Sequence, residues 1–147
     1  MHRTSPIIFL LWGHYFDEVV AAIFVSELRQ AGLCVKILGL EGRPLVGMRG
    51  LILTPDLSLG QLPRFLHRTF AIIVPCALEQ LLHYAHDPRL VHFFQEAQRR
   101  QVHFVLSHRL LTAAAGNRDL AAVALALPIS SCLAYPEPPY WCPLSGR

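Results

Sequence analysis

"FVLSHRLLTAAAG", residues 104–116, reads as a short apolar strand running straight into a helix, with Ser107 and His108 at the corner. A serine at such a corner is a candidate acyl-transfer nucleophile if a base takes its proton. It is equally a helix N-cap, because its oxygen can satisfy a free backbone N–H. His108 is the only base beside it in sequence. Neighbouring side chains at a helix start diverge, however, and nucleophile–base pairs are assembled from distant segments. The corner thus predicts a strand-to-helix connection, and its chemistry depends on what the rest of the chain brings to it.

Working outward, "VHFVL" at 102–106 is a buried strand, and Asp87 to Arg100 before it is a helix with apolar positions Leu90, Val91, Phe93, Phe94 and Ala97. "FAIIVP" at 70–75 is a continuous β-branched run of the kind found inside parallel sheets. The apolar run Pro6 to Trp12 is a further strand. In "YFDEVVAAIFVSELRQAG", 15–32, Phe16, Val19, Val20, Ile23, Phe24 and Leu28 recur at helical spacing. Asp17 and Glu18 fall in the first turn, where they complement the helix dipole, and Gly32 is the stop. "CVKILGL" is the next strand, "EGRPLVGMRG" a turn-rich connection, "LILTP" a third short extended piece and "DLSLGQLPRF" a loop. This alternation predicts an α/β fold with a mostly parallel sheet, whose sites lie beyond the carboxyl ends of the strands. Gly13-His14, Cys76 and Ser107 all fall at such ends.

Composition narrows the classes. The chain has 147 residues, 53% of them hydrophobic and 16% charged, which fits one globular domain rather than a disordered segment. Its formal charge is +3, but the basic residues are scattered apart from Arg99-Arg100, so no stripe points to nucleic acid. Cys34, Cys76, Cys132 and Cys142 form no CxxC pair, and "PIIFLLW" is too short for a secretory signal. Reduced thiols in a cytoplasmic protein are expected. No apolar run approaches the ~20 residues of a membrane-spanning helix.

The last stretch differs. Pro128, Pro136, Pro138, Pro139 and Pro143 prevent a long helix and disfavour a central strand. Residues 1–127 are therefore read as the α/β domain, and 128–147 as a proline- and aromatic-rich tail containing a short helix or strand. Tyr135, Tyr140 and Trp141 are large enough to lie against the domain or a partner.

The order of segments resembles the ThiJ/PfpI family of the class I glutamine amidotransferase-like superfamily, over residues 6 to 117. The resemblance rests on "YFDEVVAAIFVSELRQAG", "CVKILGLEGRPLVGMRGLILTPDLSLGQLP", "FAIIVPCALEQ" and "QVHFVLSHRLLTAAAG". It implies a flavodoxin-like three-layer fold, C-terminally truncated relative to the family, with the family's Cys nucleophile at the strand-to-helix elbow. Residue by residue, the catalytic pattern is missing. The acidic position on the first helix matches Val20. The Pro-Gly-Gly that helps build an oxyanion hole matches Pro75-Cys76-Ala77, which lacks the backbone freedom of glycine. The elbow's Cys-x-Gly matches Ser107-His108-Arg109, with Arg109 expected to crowd the strand–helix approach. No histidine follows His108.

Other candidates have plain explanations. Cys76 is a possible reactive thiol, or a small buried filler in place of a glycine. His83, His86 and His92 lie close in sequence but lack a third metal ligand at clear spacing, so neither metal nor cofactor is expected. These readings point to a non-catalytic domain that acts as a regulatory, scaffold or assembly module, through a protein partner or a homo-oligomer. One alternative is a small hydrolase or glyoxalase/deglycase-type enzyme using Ser107 or Cys76. Another is a small-molecule-sensing domain whose degenerate pocket comprises Val20, Cys76, Ala77, Ser107 and Arg109.

Overall fold

The computed structural model describes residues 5–116 and 132–135. Six strands, β1 (Ile7–Trp12), β2 (Cys34–Gly39), β5 (Leu57–Ser58), β6 (Thr69–Val74), β7 (His103–Ser107) and β8 (Cys132–Tyr135), form one sheet in the order β5-β2-β1-β6-β7-β8. Every pairing in it is parallel. β1 is buried along its whole length, as its unbroken apolar sequence requires of a central strand. The connections are α1 (Glu18–Gln30), α2 (Leu78–His83), α3 (Pro88–Arg99) and α4 (His108–Gly116). This is the expected α/β, flavodoxin-like arrangement. None of the described helices is long and apolar enough to cross a membrane.

From β1 the chain moves to β2 on one side, then returns to place β6 on the other. Right-handed crossovers therefore put α1 and α3 on opposite faces of the sheet. On the α3 face, Phe93 meets Phe9 edge-on at 6.5 Å between ring centroids, and Phe94 lies 5.4 Å from Phe104. Asp87 caps α3 by accepting the Arg89 N–H, and Pro88 occupies the first turn.

Between β2 and β5 the structure departs from the sequence reading. Leu45–Val46 (β3) pairs antiparallel with Ile52–Leu53 (β4) in a separate small hairpin, so "LILTP" is not a strand of the main sheet. The edge strand β5 comes instead from the stretch read as a loop, which also holds a 3-10 helix at Leu59–Arg64. Strands of two residues are too short to show a period. The six-residue α2 escaped notice for the same reason.

The reading of α1 also needs correction. Its buried positions are Glu18, Val20, Ala21 and Val25, while Ile23 is 44% exposed. Val20 is buried and Phe24 and Leu28 pack against the core as read, and the first-turn acid is drawn in with them. Glu18 is only 2% exposed, and its carboxylate accepts the Arg49 N–H at 2.9 Å and the Leu51 N–H at 3.3 Å. Asp17 is the N-cap, accepting the Val19 and Val20 N–H groups, and it pairs with Arg49 Nη1 at 2.9 Å. Far from simply complementing a helix dipole, the two acids hold the β3–β4 hairpin against the helix start. Gly47 is needed for this contact, because a Cβ there would fall on the Glu18 carboxylate.

Glu18→Ala leaves two part-buried N–H groups without their carboxylate acceptor, and is expected to lower stability by about 1–3 kcal/mol in urea unfolding. Gly47→Ala should be destabilising through the same contact.

Candidate functional site

The reversal of strand order between β1 and β6 opens a crevice at their carboxyl ends, the usual place for a ligand in a sheet of this type. The turn after β1 is tightly fixed. Trp12 Nε1 donates to Leu45 O at 3.2 Å, and the His14 N–H donates to the Tyr84 hydroxyl at 2.7 Å. That hydroxyl donates in turn to Glu41 Oε2 at 2.9 Å. Burial pushes it up to about 12, so it keeps the proton it donates. Gly13 allows the approach, since a Cβ there would come within 2.7 Å of the Tyr84 ring. Pro75 O, at the end of β6, accepts the Asp17 N–H at 2.8 Å and ties this strand end to the start of α1.

A cleft of about 700 Å³ lies outside these strand ends. Tyr15, Asp17 and Val20 line it from the β1–α1 side, Met48 and Arg49 from the hairpin, and Pro75 to Gln80 from the β6–α2 turn. Ser107, Arg109 and Leu110 close the β7–α4 side, and Tyr135 stands at the end of β8. Tyr135 also packs edge-on against Phe24, 5.3 Å between centroids.

The structure brings Val20, Cys76, Ala77, Ser107 and Arg109 to this one cleft, and leaves His108 exposed and outside its lining. Ser107 is buried, and its Oγ accepts the Leu110 N–H at 3.0 Å as the cap of α4. Its hydrogen bond runs to the helix and not to a base. The corner also lacks the strained backbone of a nucleophile elbow. Among the described non-glycine residues, positive φ occurs at Tyr15 and Gln101 only. Arg109 does not crowd the strand–helix approach. Its side chain lies exposed at the cleft, because a helix start can turn a long cation outward to water.

Cys76 is buried at the cleft floor, and burial pushes its thiol well above the ordinary range, with the nearby Glu79 charge adding to the effect. A thiol so held stays protonated and is a poor nucleophile. Among the described residues, no group of three His, Cys, Asp or Glu side chains converges as a metal site requires. The sequence reading passed over Tyr15, Arg49 and Glu79 as cleft residues. Tyr15 alone carried a visible signal, a large aromatic directly after Gly13-His14 at a strand end.

Two measurements probe this geometry. Ser107→Ala should cost about 1 kcal/mol of stability, the worth of a lost helix cap, while preserving the fold. In native protein a maleimide should label the half-buried Cys34 and spare Cys76, with mass spectrometry locating the adduct. Rapid modification of Cys76 at neutral pH would contradict its protonated, buried state.

Comparison with solved structures places this architecture. Drosophila melanogaster DJ-1beta superposes with a TM-score of 0.66 at 15% identity, covering 90% of this chain and 75% of that one. An oxidized Toxoplasma gondii DJ-1 gives 0.64 at 15% identity, with 82% of this chain matched to 62% of the other. A ThiJ/PfpI domain protein from Brachyspira murdochii gives 0.63 at 10% identity, covering 90% and 88%. No family model matches the chain, and no curated protein sequence does. The chain thus spans less than two thirds of the Toxoplasma protein's length, and at these identities the likeness is one of fold. Its structural neighbours are DJ-1/ThiJ/PfpI superfamily proteins, and the fold of this chain is theirs.

Proposed function

We propose that this chain is a non-catalytic member of the ThiJ/PfpI family, a regulatory domain that acts by binding. The observation that carries the reading is the state of Ser107. Its hydroxyl caps α4 through the Leu110 N–H at 3.0 Å, and among the described residues no histidine or carboxylate is hydrogen-bonded to it. A serine hydroxyl without an activating base is a weak nucleophile at neutral pH. Cys76, the other candidate, is held as the neutral thiol by burial. An open cleft of about 700 Å³ favours a small-molecule-sensing role over a purely structural one. Free thiols at Cys34 and Cys76 suit a cytoplasmic setting.

A separate observation supports protein contacts as well. The hairpin exposes Met48, Leu51 and Ile52 within five residues, with Ile52 63% exposed, a concentration of apolar surface that suits a partner or a second copy.

The enzyme alternative, a hydrolase or glyoxalase/deglycase using Ser107 or Cys76, is tested directly. With p-nitrophenyl acetate and with methylglyoxal, the purified chain is expected to show no turnover above buffer, and Ser107→Ala and Cys76→Ala should behave identically to it. Turnover that disappears in either variant would overturn the reading. If the hairpin mediates self-association, sedimentation should show a concentration-dependent oligomer that Ile52→Glu returns to monomer.

A further inference from the structure

The cleft is the seat of the binding role proposed above, and the identity of its ligand rests on that role. Four charged side chains line it. Two of them neutralise each other, because Arg49 Nη1 lies 2.9 Å from Asp17 Oδ1. The other two are Glu79 on α2 and Arg109 on α4, both exposed. They form no ion pair with each other, and no described residue bonds to either side chain. Glu79 lines the cleft on the same β6–α2 stretch as the buried Cys76. Arg109 stands in the first turn of the nine-residue α4, where the helix dipole adds to its attraction for an anion. Val20, Ala77 and Leu110 add apolar lining to the same cleft. A monoanion would satisfy Arg109 and face Glu79, and a monocation would do the reverse. A ligand with one charge of each sign meets both.

Tyr15 supplies the remaining feature. Its φ is +61°, in the left-handed region that a bulky residue rarely adopts. The conformation belongs to the turn after β1, where the Phe16 N–H donates to Gly13 O at 3.2 Å and puts Tyr15 at the third position, which takes positive φ in a type II turn; the Tyr15 N–H also donates to Val46 O at 3.0 Å. The result is an aromatic ring 54% exposed at the cleft, tilted 41° to the adjacent His14 ring at 3.8 Å between centroids. Such a turn favours glycine or asparagine at this position, and a ring left this exposed contributes little to the core, so neither accounts for a tyrosine there. Strain of this kind persists where the side chain it positions is used.

We propose that the cleft binds a free aromatic α-amino acid, with its carboxylate at Arg109, its ammonium group at Glu79 and its ring against Tyr15. The cleft volume is within the range of small-molecule sites.

Calorimetric titration of the full chain tests this with four probes: L-tryptophan, indole-3-propionate, which lacks the ammonium group, tryptamine, which lacks the carboxylate, and L-alanine, which lacks the ring. L-tryptophan is expected to bind at least about tenfold more tightly than each of the others, the effect of one charge-assisted contact or one stacked ring. Arg109→Ala should weaken L-tryptophan about tenfold and leave tryptamine unchanged, and Glu79→Gln should do the converse for indole-3-propionate. Tyr15→Leu keeps the backbone constraint and removes the aromatic face, and should weaken L-tryptophan severalfold. Its melting temperature shows that the loss is not unfolding, and Tyr15→Gly, free of left-handed strain, provides a second variant. Equal binding of L-tryptophan and indole-3-propionate, unchanged affinity in Tyr15→Leu and Tyr15→Gly, or no binding of L-tryptophan at about 1 mM overturns the assignment. Those results, with the ester and methylglyoxal assays still blank, remove the ligand assignment alone. Turnover abolished by Ser107→Ala strikes instead at the non-catalytic reading.

Discussion

The buried carboxylate of Glu18 governs how this end of the molecule is built. An ionised group taken out of water is tolerated only when its oxygens are satisfied. Glu18 achieves this through the Arg49 and Leu51 N–H groups, with Arg49 Nη1 at 3.7 Å. Glu18 faces inward with Val20, Ala21 and Val25, while Ile23 faces water. The Glu18 carboxylate also brings the hairpin tip to the cleft, where Met48 and Arg49 form one wall. A single polar contact therefore ties together a helix start, a loop position and a wall of the candidate site. The absence of a side chain at Gly47 is part of the same constraint.

The elements legible in sequence were those whose pattern is set by the sheet. β1, β6 and β7 are strands buried on two faces, and an unbroken apolar run is the direct consequence of that burial. α3 was legible because Asp87 caps it and Leu90, Phe93, Phe94 and Ala97 repeat on one face. α1 was placed correctly, with Val20, Phe24 and Leu28 on the core side as read, but Ile23 is exposed and Glu18 buried, because hydrophobic periodicity has no means of marking a buried glutamate. The hairpin and β5 depend on hydrogen bonds from distant residues: Tyr15 to Val46, Met48 to Phe16, and Asp56 to Ile37. Such pairings have no local signature.

The cleft divides in the same way. Val20, Cys76, Ala77, Ser107 and Arg109 were found because each sits at a strand end or helix start, which the order of elements alone locates. Glu79 lies on a helix too short to show a period, and Arg49 on a loop fixed by a carboxylate thirty-one positions away in sequence. Tyr135 enters through β8, which pairs with β7 from Phe104↔Cys132 to Ser107↔Tyr135 and so belongs to the sheet, although it comes from the proline-rich stretch. Proline excludes a strand from positions that need its N–H, and Cys132–Tyr135 itself contains none. The residues Tyr140 and Trp141 lie outside the described part of the chain.

The distribution of strain in the cleft separates it from the nucleophile elbow that the resemblance to the ThiJ/PfpI family implies. An elbow concentrates backbone strain at the strand-to-helix turn, in order to push a reactive side chain into the open. Here that turn is relaxed: Ser107 is buried and its oxygen serves the helix. Within the cleft lining, positive φ falls on Tyr15, on the β1–α1 side of the crevice, and the side chain it holds in the open is aromatic. Strain fixes position whatever the chemistry of the group positioned. Strain at an exposed ring, and not at a hydroxyl or thiol, is what the binding role proposed for this cleft calls for.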